Sequence, residues 1–269
     1  MRFKLSLQVH PGRNRLPINY QYEISSWIYK TIHYSNSEFS QWLHNRGITV
    51  GNKRFKLFTF SQLFLQPPWK QAGDRLIIHS GRASLQLSFY LEEAVEHFII
   101  GLFQQQQFRI GDTRSIAEFA VETIERMPDP QFTSRAAFRC ISPLCISMSL
   151  GEGKPAEYLA PEHPEYQRYF FENLLTKYLV VNAPGKKVEE AREEMNARES
   201  LTLGTSSKQK SRLITIKTGT PQQTRVKGYL FDFQITAPPE LIAFGYQVGF
   251  GEKNSLGFGC VECIERFRD

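Results

Sequence analysis

The chain has 269 residues, of which 41% are apolar and 22% charged, and its formal net charge is +6. This composition excludes disordered and fibrous proteins and fits one large globular domain or two small ones. No apolar run reaches the roughly 18 residues of a membrane span, and the short N-terminal run breaks at Pro11, so we expect neither a membrane partner nor a signal peptide. The sequence predicts a reduced, cytoplasmic protein.

Hydrophobic periodicity divides the first half of the chain into strands and helices. In the first predicted helix, Ile24, Ile28 and Ile32 recur at four-residue spacing and form one apolar face. A second helix is expected to begin at a capping box formed by Ser35 and Glu38. The predicted elements are a strand at residues 2–9, helices at 22–34 and from 35 to Gly47, strands at 55–65, 74–80 and 83–90, a helix at 91–104 and a strand at 114–126.

The same alternation begins again after a proline-rich junction at residues 127–132. Each half reads strand, helix, strand, strand, helix, strand, so we predict an α+β fold of two tandem ferredoxin-like βαββαβ domains, over residues 1–127 and 128–269. The elements of the second half are a strand pair within 137–150, a helix at 164–181, a charged helix or mobile insertion at 186–199, a hairpin of strands 212–219 and 224–236, a helix at 239–248 and a strand at 257–267.

The four cysteines favour a structural interpretation. Cys260 and Cys263 form a C-x-x-C, but Cys140 and Cys145 are spaced more widely than zinc ligands usually are. All four lie in apolar alternating runs, which is typical of buried strand residues. We therefore predict no metal site, and no motif in the chain indicates a cofactor.

Positive charge is concentrated in one segment, residues 201–231, which contains no Asp or Glu. Two interpretations remain open for it, a solvated surface and a strip that binds a polyphosphate. The basic residues of this segment are Lys208, Lys210, Arg212, Lys217, Arg225 and Lys227.

A glycine-rich stretch, GYQVGFGEKNSLGFG, lies at residues 245–259. It fits neither a Walker A loop nor a Rossmann fingerprint, because no Lys-Ser/Thr pair follows a glycine, the third Rossmann glycine is missing, and a helix precedes the loop. Two interpretations are left: a concavity of backbone N–H groups that binds phosphate, and a tight connection that needs glycine for its geometry. The candidate phosphate-binding residues are Gly249, Gly251, Lys253, Gly257 and Gly259.

This stretch closely resembles the C-terminal signature of the Cas-six (Cas6) family, the CRISPR-associated endoribonucleases that cut precursor CRISPR RNA within its repeats. The resemblance extends to the N-terminal half, through LPINYQYEISSWIYKTI, SEFSQWLHNRG and KRFKLFTFS. It implies tandem RRM-like domains, a prokaryotic host and repeat RNA as the partner, and it leaves CRISPR effector subunits and a second copy of the chain open as further partners. The insertion at residues 186–210 has no counterpart in the family.

The resemblance also implies a metal-independent catalytic set of Tyr29 in WIYKTI, His44 in WLHNRG and Lys56 in FKLFTFS. Lys53 and Arg54 are alternatives for the lysine. In such chemistry the 2′-hydroxyl of the RNA attacks the adjacent phosphate, giving a 2′,3′-cyclic phosphate and a 5′-hydroxyl. Histidine suits proton transfer near neutral pH, and a lysine ammonium stabilises the charge that grows in the transition state.

Helical geometry is compatible with these roles. His44 lies about 140° from Phe39 around its helix, and Tyr29 about 140° from Ile24, so both point away from the apolar faces. His33 is the main rival to His44. The alternatives to a nuclease are a module that holds repeat RNA without cutting it and, much less favoured, an enzyme that uses ATP or NAD.

Overall fold

The computed structural model describes residues 1–51, 53–198, 201–205 and 208–266. The first half contains β1 (Arg2–Pro17), α1 (Gln21–Ser35), α2 (Ser37–Asn45), β2 (Ile48–Val50), β3 (Lys53–Phe55), β4 (Phe58–Phe60), β5 (Phe64–Leu65), β6 (Trp69–Ala72), β7 (Arg75–Ile78), β8 (Arg82–Phe89), α3 (Glu92–Gln104), β9 (Gln107–Gly111) and β10 (Ile116–Arg126). The second half contains β11 (Arg135–Cys140), β12 (Ser147–Met148), β13 (Glu157–Tyr158), α4 (Tyr166–Asn182), α5 (Val188–Arg198), β14 (Thr202–Thr205), β15 (Lys210–Ile216), β16 (Thr224–Leu230), β17 (Asp232–Thr236), α6 (Pro239–Val248), a 3₁₀ turn (Asn254–Leu256) and β18 (Val261–Arg266).

The two halves repeat one sheet topology. In the first, the strands follow the order β4-β8-β1-β10-β9, and in the second β14-β17-β11-β18, with every pairing antiparallel. Each half therefore places its first and third core strands side by side in the centre, as a βαββαβ unit does. The predicted α+β fold of tandem ferredoxin-like domains is confirmed.

Each sheet buries one face under its helices. Leu5 of β1 pairs with Leu85 of β8 and Ile124 of β10, and Leu5 and Leu85 are buried in the core of the first half together with Ile28 of α1 and Phe98 of α3. The second half has its own core, in which α4 and α6 cover β11 and β17. The domain boundary at residues 127 and 128 stays a prediction, and the two sheets lie on either side of it.

Several local predictions are wrong. The capping box at Ser35 does not form, because α1 runs through Ser35 and the side chain of Asn36 accepts the N–H of Phe39 instead. The first strand is longer than the predicted 2–9. Strand β1 continues to Pro17, shifts register between Val9 and Asn14, and then pairs with β7. Strand β9 was not predicted at all.

The largest correction concerns the predicted hairpin. Its second strand, residues 224–236, is two strands that separate at Phe231, with β16 pairing β15 in a separate ribbon and β17 joining the second sheet. The third strand of that ferredoxin-like unit is therefore β17, and the second is β14. The charged segment at 186–199 forms α5, while residue 199 and residue 267 of the predicted last strand lie outside the described residues.

Buried polar contacts join the two halves. The guanidinium of Arg2, 2% exposed, donates to the carbonyl oxygens of Val261 and Tyr246 and lies 3.7 Å from the Tyr246 ring centroid. Ser88 donates to the carbonyl of Gln247 at 2.7 Å. Because a buried cation needs its partners, these contacts fix the position of one half against the other. In the described part of the chain, no helix is long and apolar enough to cross a bilayer.

Candidate active site

Tyr29 and His44 meet where α1 and α2 cross. The hydroxyl of Ser40 on α2 donates to the carbonyl of Tyr29 at 2.9 Å and so holds the two helices together. The rings of Tyr29 and His44 contact edge to face, with centroids 4.9 Å apart, and Phe58 supports Tyr29 from behind at 5.5 Å. The sequence-predicted pair is thus brought together, with His44 exposed and Tyr29 half-buried.

The third predicted residue, Lys56, reaches the same place from the loop between β3 and β4. Its ammonium donates to the carbonyl oxygen of His44 at 2.6 Å, and Arg54 donates to the carbonyl of Asn45 at 2.9 Å. Both cations therefore bind the carbonyl end of α2, where a helix favours positive charge. Burial, followed by the charge of Arg54, lowers the pKa of Lys56 to about 8. Lys53 is exposed on β3.

Gly47 is required for this arrangement. It has φ of +61°, and a Cβ there would lie 2.5 Å from the carbonyl oxygen of Phe55. The turn after α2 can therefore carry β2 and β3 back over the helix end only with glycine at this position. This close approach sets Lys56 against His44.

His44 has a defined orientation of its ring nitrogens. Its Nδ1 lies 3.0 Å from the side-chain oxygen of Asn45, and in the tautomer that donates this bond Nε2 is the nitrogen able to exchange a proton. His33 lines the same shallow depression as Tyr29 and His44 and stays a rival. His97 does not, because it bonds Ser35 and Asn36 between α1 and α3.

The glycine-rich loop is held by a lysine that sequence reasoning missed. Lys177 of α4 is 2% exposed, and its ammonium donates to the carbonyl oxygens of Gly249 and Gly251 at 2.6 and 2.9 Å and to the side-chain oxygen of Asn254 at 3.1 Å. The amide nitrogen of Asn254 in turn donates to the carbonyls of Phe250 and Phe258. One buried cation and one amide thus fix the whole loop.

The glycines of the loop have a clear packing role. Gly249, Gly251, Gly257 and Gly259 are all buried with positive φ, and a Cβ at any of them would lie within 2.7 Å of another atom. The N–H groups of Gly249, Gly257 and Gly259 donate to the carbonyls of Gly245, Asn254 and Pro143. These three amides are therefore satisfied within the protein, and phosphate binding by the loop stays a prediction. Lys253, in contrast, is exposed at the loop tip.

The loop lies beside the catalytic candidates. Thr59 of β4 donates to the carbonyl of Phe258 at 3.0 Å, and a Cβ on Gly257 would lie 2.6 Å from the Phe60 ring. The side chain of Ser255 hydrogen-bonds Tyr29. Burial raises the pKa of Tyr29 above its ordinary value, and the bond to Ser255 offsets this only in part. The hydroxyl of Tyr29 therefore stays protonated at neutral pH.

The basic hairpin packs against the same loop but does not present one continuous strip. Its inner face, with Ile214 and Val226, buries against Phe258 of the loop. Since side chains alternate along a strand, Arg225 and Lys227 project from the opposite, outer face. Lys210 and Arg212 share the inner side and are exposed, as are Lys208 and Lys217.

The cysteines occupy structural positions. Cys140, Cys145 and Cys260 are buried and Cys263 is partly exposed, and none forms a disulfide. Burial raises the pKa of the Cys140 thiol to about 12. Burial also raises the pKa of Cys145 and Cys260, so the three buried thiols are neutral core residues, as their alternation with apolar neighbours predicts.

Comparison with known families places both halves of the chain in one group. The family model described as CRISPR-associated protein Cas6, N-terminal, matches residues 15–125. The model described as CRISPR associated protein Cas6, C-terminal, matches residues 127–263.

Two curated relatives are similar along nearly the whole chain. The CRISPR-associated endoribonuclease Cas6 1 of Methanocaldococcus jannaschii is 28% identical over 274 residues, which cover 98% of this chain and 93% of the relative. The CRISPR-associated endoribonuclease Cas6 of Pyrococcus furiosus is 26% identical over 271 residues, which cover 97% of this chain and 89% of the relative.

Solved structures share the fold. A Cas6-related protein from Pyrococcus furiosus superposes with a TM-score of 0.79 at 22% identity, covering 98% of both chains. A CRISPR associated protein Cas6 superposes with a TM-score of 0.70 at 28% identity, covering 98% of this chain and 99% of the other. The tandem architecture seen here is thus that of these proteins.

Proposed function

From the premise that this chain belongs to the Cas6 family of CRISPR-associated proteins, we propose that it is an endoribonuclease that cuts precursor CRISPR RNA within its repeats. Relatives in Methanocaldococcus jannaschii and Pyrococcus furiosus bear the name endoribonuclease. The observation that carries the proposal is the convergence of Tyr29, His44 and Lys56 beside Ser255 of the glycine-rich loop.

The reaction uses the RNA's own 2′-hydroxyl as nucleophile on the adjacent phosphate, and the 5′-oxygen leaves as the 2′,3′-cyclic phosphate forms. The 2′-hydroxyl loses a proton and the leaving 5′-oxygen gains one, and His44 carries out one of these two transfers through Nε2, since Nδ1 contacts Asn45. The Lys56 ammonium stabilises the negative charge on the phosphorane. Because burial keeps the Tyr29 hydroxyl protonated, Tyr29 acts as a hydrogen-bond donor that orients the substrate and not as the base. These side chains require no metal.

RNA reaches this site across the basic hairpin. The hairpin packs on the glycine-rich loop, and its exposed outer face carries Arg225 and Lys227. Lys253 continues the positive surface towards Lys56 at the cleft beside the loop. Contacts of this kind bind the phosphate backbone and weaken as salt concentration rises.

The test is cleavage of a repeat RNA in EDTA, with binding measured separately on RNA carrying a 2′-deoxy sugar at the cut site. Wild-type protein should cut, and His44→Ala should lose at least about 100-fold in rate, typical of general acid–base catalysis, while its affinity stays within about twofold. His79→Ala, at an exposed histidine remote from the site, is the matched control.

Each contrary result has a distinct meaning. If His44→Ala cuts at the wild-type rate and His33→Ala does not, His33 is the proton-transfer residue. If the wild-type protein binds the repeat tightly and never cuts it, the chain is an RNA-holding module and the nuclease proposal is wrong. Loss of cutting whenever EDTA is added would refute the metal-independent mechanism.

A further inference from the structure

A cleft of about 620 Å³ opens between the β2–β3 hairpin, α4 and the glycine-rich loop. It begins at Lys56, which forms part of its wall, and extends along α4 past Tyr169 and Asn173. Binding sites for small ligands typically measure about 300–1,000 Å³. The cleft is therefore large enough for one nucleotide and too small for a duplex.

The charge of the cleft favours a piece of a polyanion. Its two carboxylates are Glu172 and Glu252, and Glu252 is already engaged by the backbone N–H and the hydroxyl of Ser147. Positive side chains outnumber them. The cations that line the cleft are Lys53, Arg54, Lys56, Lys177 and Lys253.

Asn173 in the wall has an unmet hydrogen-bonding group. Its side-chain oxygen is shielded from solvent and accepts no hydrogen bond within the described part of the chain. Such an unpaired buried group is rare in folded proteins and calls for a partner. Because Asn173 lines the cleft, its amide can accept from or donate to the edge of a nucleobase bound there.

Tyr169 supplies the second element of base recognition. It lines the cleft one helical turn before Asn173, and the guanidinium of Arg168 lies 4.6 Å from the centroid of its ring. Aromatic side chains stack on unpaired bases in many proteins that bind single-stranded RNA. The opposite wall is fixed, because Lys177 binds the loop carbonyls at Gly249 and Gly251.

We propose that this cleft is a subsite for one unpaired nucleotide next to the scissile phosphate, with its base against Tyr169 and Asn173 and its phosphate towards Lys56. The proposal rests on the proposed function, since it identifies the RNA that the site cuts. The subsite makes cleavage sensitive to the identity of that one base.

The experiment is a binding cycle with the 2′-deoxy repeat RNA, in which each nucleotide flanking the cut site is replaced in turn by an abasic residue. For wild-type protein, one position should lose about tenfold in affinity, as expected for a stacked base. Asn173→Ala and Tyr169→Leu should each reduce that loss to about threefold or less, and leave the losses at all other positions unchanged. Asn182→Ala, on the same helix but outside the cleft, is the matched control.

The cycle separates the subsite from the nuclease proposal. If the abasic losses in Asn173→Ala and Tyr169→Leu equal those of the wild type at every position, the subsite is refuted, even when the wild-type protein cuts RNA. If the expected coupling is found in a protein that never cuts, the subsite stands and the nuclease proposal fails. Circular dichroism of both variants shows whether they are folded, and Asn173→Asp provides a second, isosteric variant for the cycle.

Discussion

Replacing Lys177 with methionine removes a buried ammonium and keeps most of the length of the side chain. Burial lowers the pKa of Lys177 from 10.5 to about 7, with the charge of Glu252 acting in the opposite direction. The unfolded chain therefore holds one more proton than the folded chain between about pH 7 and 10.5. Because the unfolded state binds more protons, the free energy of unfolding rises with pH across this window. Lys177→Met lacks this dependence.

The size of the effect follows from the shift. A difference of one bound proton changes the free energy of unfolding by about 1.4 kcal/mol per pH unit. Because Lys177 is about half deprotonated at pH 7, the free energy of unfolding of the wild type rises relative to that of Lys177→Met by about 2 kcal/mol from pH 7 to pH 9. At pH 7 two effects of the substitution oppose each other. Removing a desolvated charge stabilises the variant, whereas leaving the carbonyls of Gly249 and Gly251 without a donor destabilises it. The change with pH is therefore the informative quantity.

Thermal unfolding at pH 7 and pH 9, followed by circular dichroism, measures this change. The Tm of the wild type minus the Tm of Lys177→Met should increase by about 4–8 °C from pH 7 to pH 9. For Lys154→Met, at an exposed lysine, the same difference in Tm should be equal at both pH values. An equal difference for Lys177→Met at both pH values would refute the assignment of a depressed pKa to the lysine that holds the loop.

Three further predictions concern the site and its support. The cleavage rate should fall as pH rises through about 8, where the Lys56 ammonium loses its proton, as a pH–rate profile would show. Gly259→Ala should lower the free energy of unfolding by more than about 3 kcal/mol in denaturant titrations, because the new Cβ would lie 1.8 Å from the Phe250 carbonyl oxygen. Neutralising Arg225 and Lys227 together should reduce the slope of log affinity against log salt by roughly 1.4, at about 0.7 per lost phosphate contact.

Each of these predictions has a control. Lys56→Arg keeps its charge, so its rate should persist at pH 9, and an equal decline would assign the pH dependence to another group. Gly219→Ala changes an exposed glycine of φ +76° with open space around it and should cost only about 1–2 kcal/mol. Neutralising Lys154 and Lys187 instead should leave the salt slope unchanged. A changed slope there would make the hairpin effect one of net charge alone.

The sequence predicted what depends on local pattern. The apolar face of α1, with Ile24, Ile28 and Ile32 all buried, follows from helical spacing and was found correctly. The sheet that a strand joins depends on contacts distant in sequence. The alternating pattern of residues 224–236 is unbroken, so the separation of β16 from β17 at Phe231 could not be predicted from it. Strand β14, four residues with a glycine, carries too weak a pattern to detect.

In the candidate site, too, some features were predictable from the sequence and others depend on distant contacts. Tyr29, His44 and Lys56 were located by resemblance, and their mutual contacts are found in the structure. Lys177 was missed because a lysine in a helix is usually solvated, yet its spacing of three from Leu174 and seven from Phe170 puts it on the apolar face of α4 and was a usable signal. A tight connection that needs glycine was one of the two interpretations of the loop, but its distant neighbours Thr59, Phe60 and Cys145 could not be predicted from the sequence.

The bond from Thr59 to Phe258 spans 199 positions in the chain. Tyr29, His44 and Lys56 leave the ribosome long before Ser255, which completes their surroundings. A growing chain therefore carries these three candidate side chains before the loop that contacts them has been made, so the site cannot assemble until residues 245–259 have folded against β4. Contacts between such distant segments are also among the slowest to form, so assembly of the candidate site depends on the contacts that join the two halves of the fold.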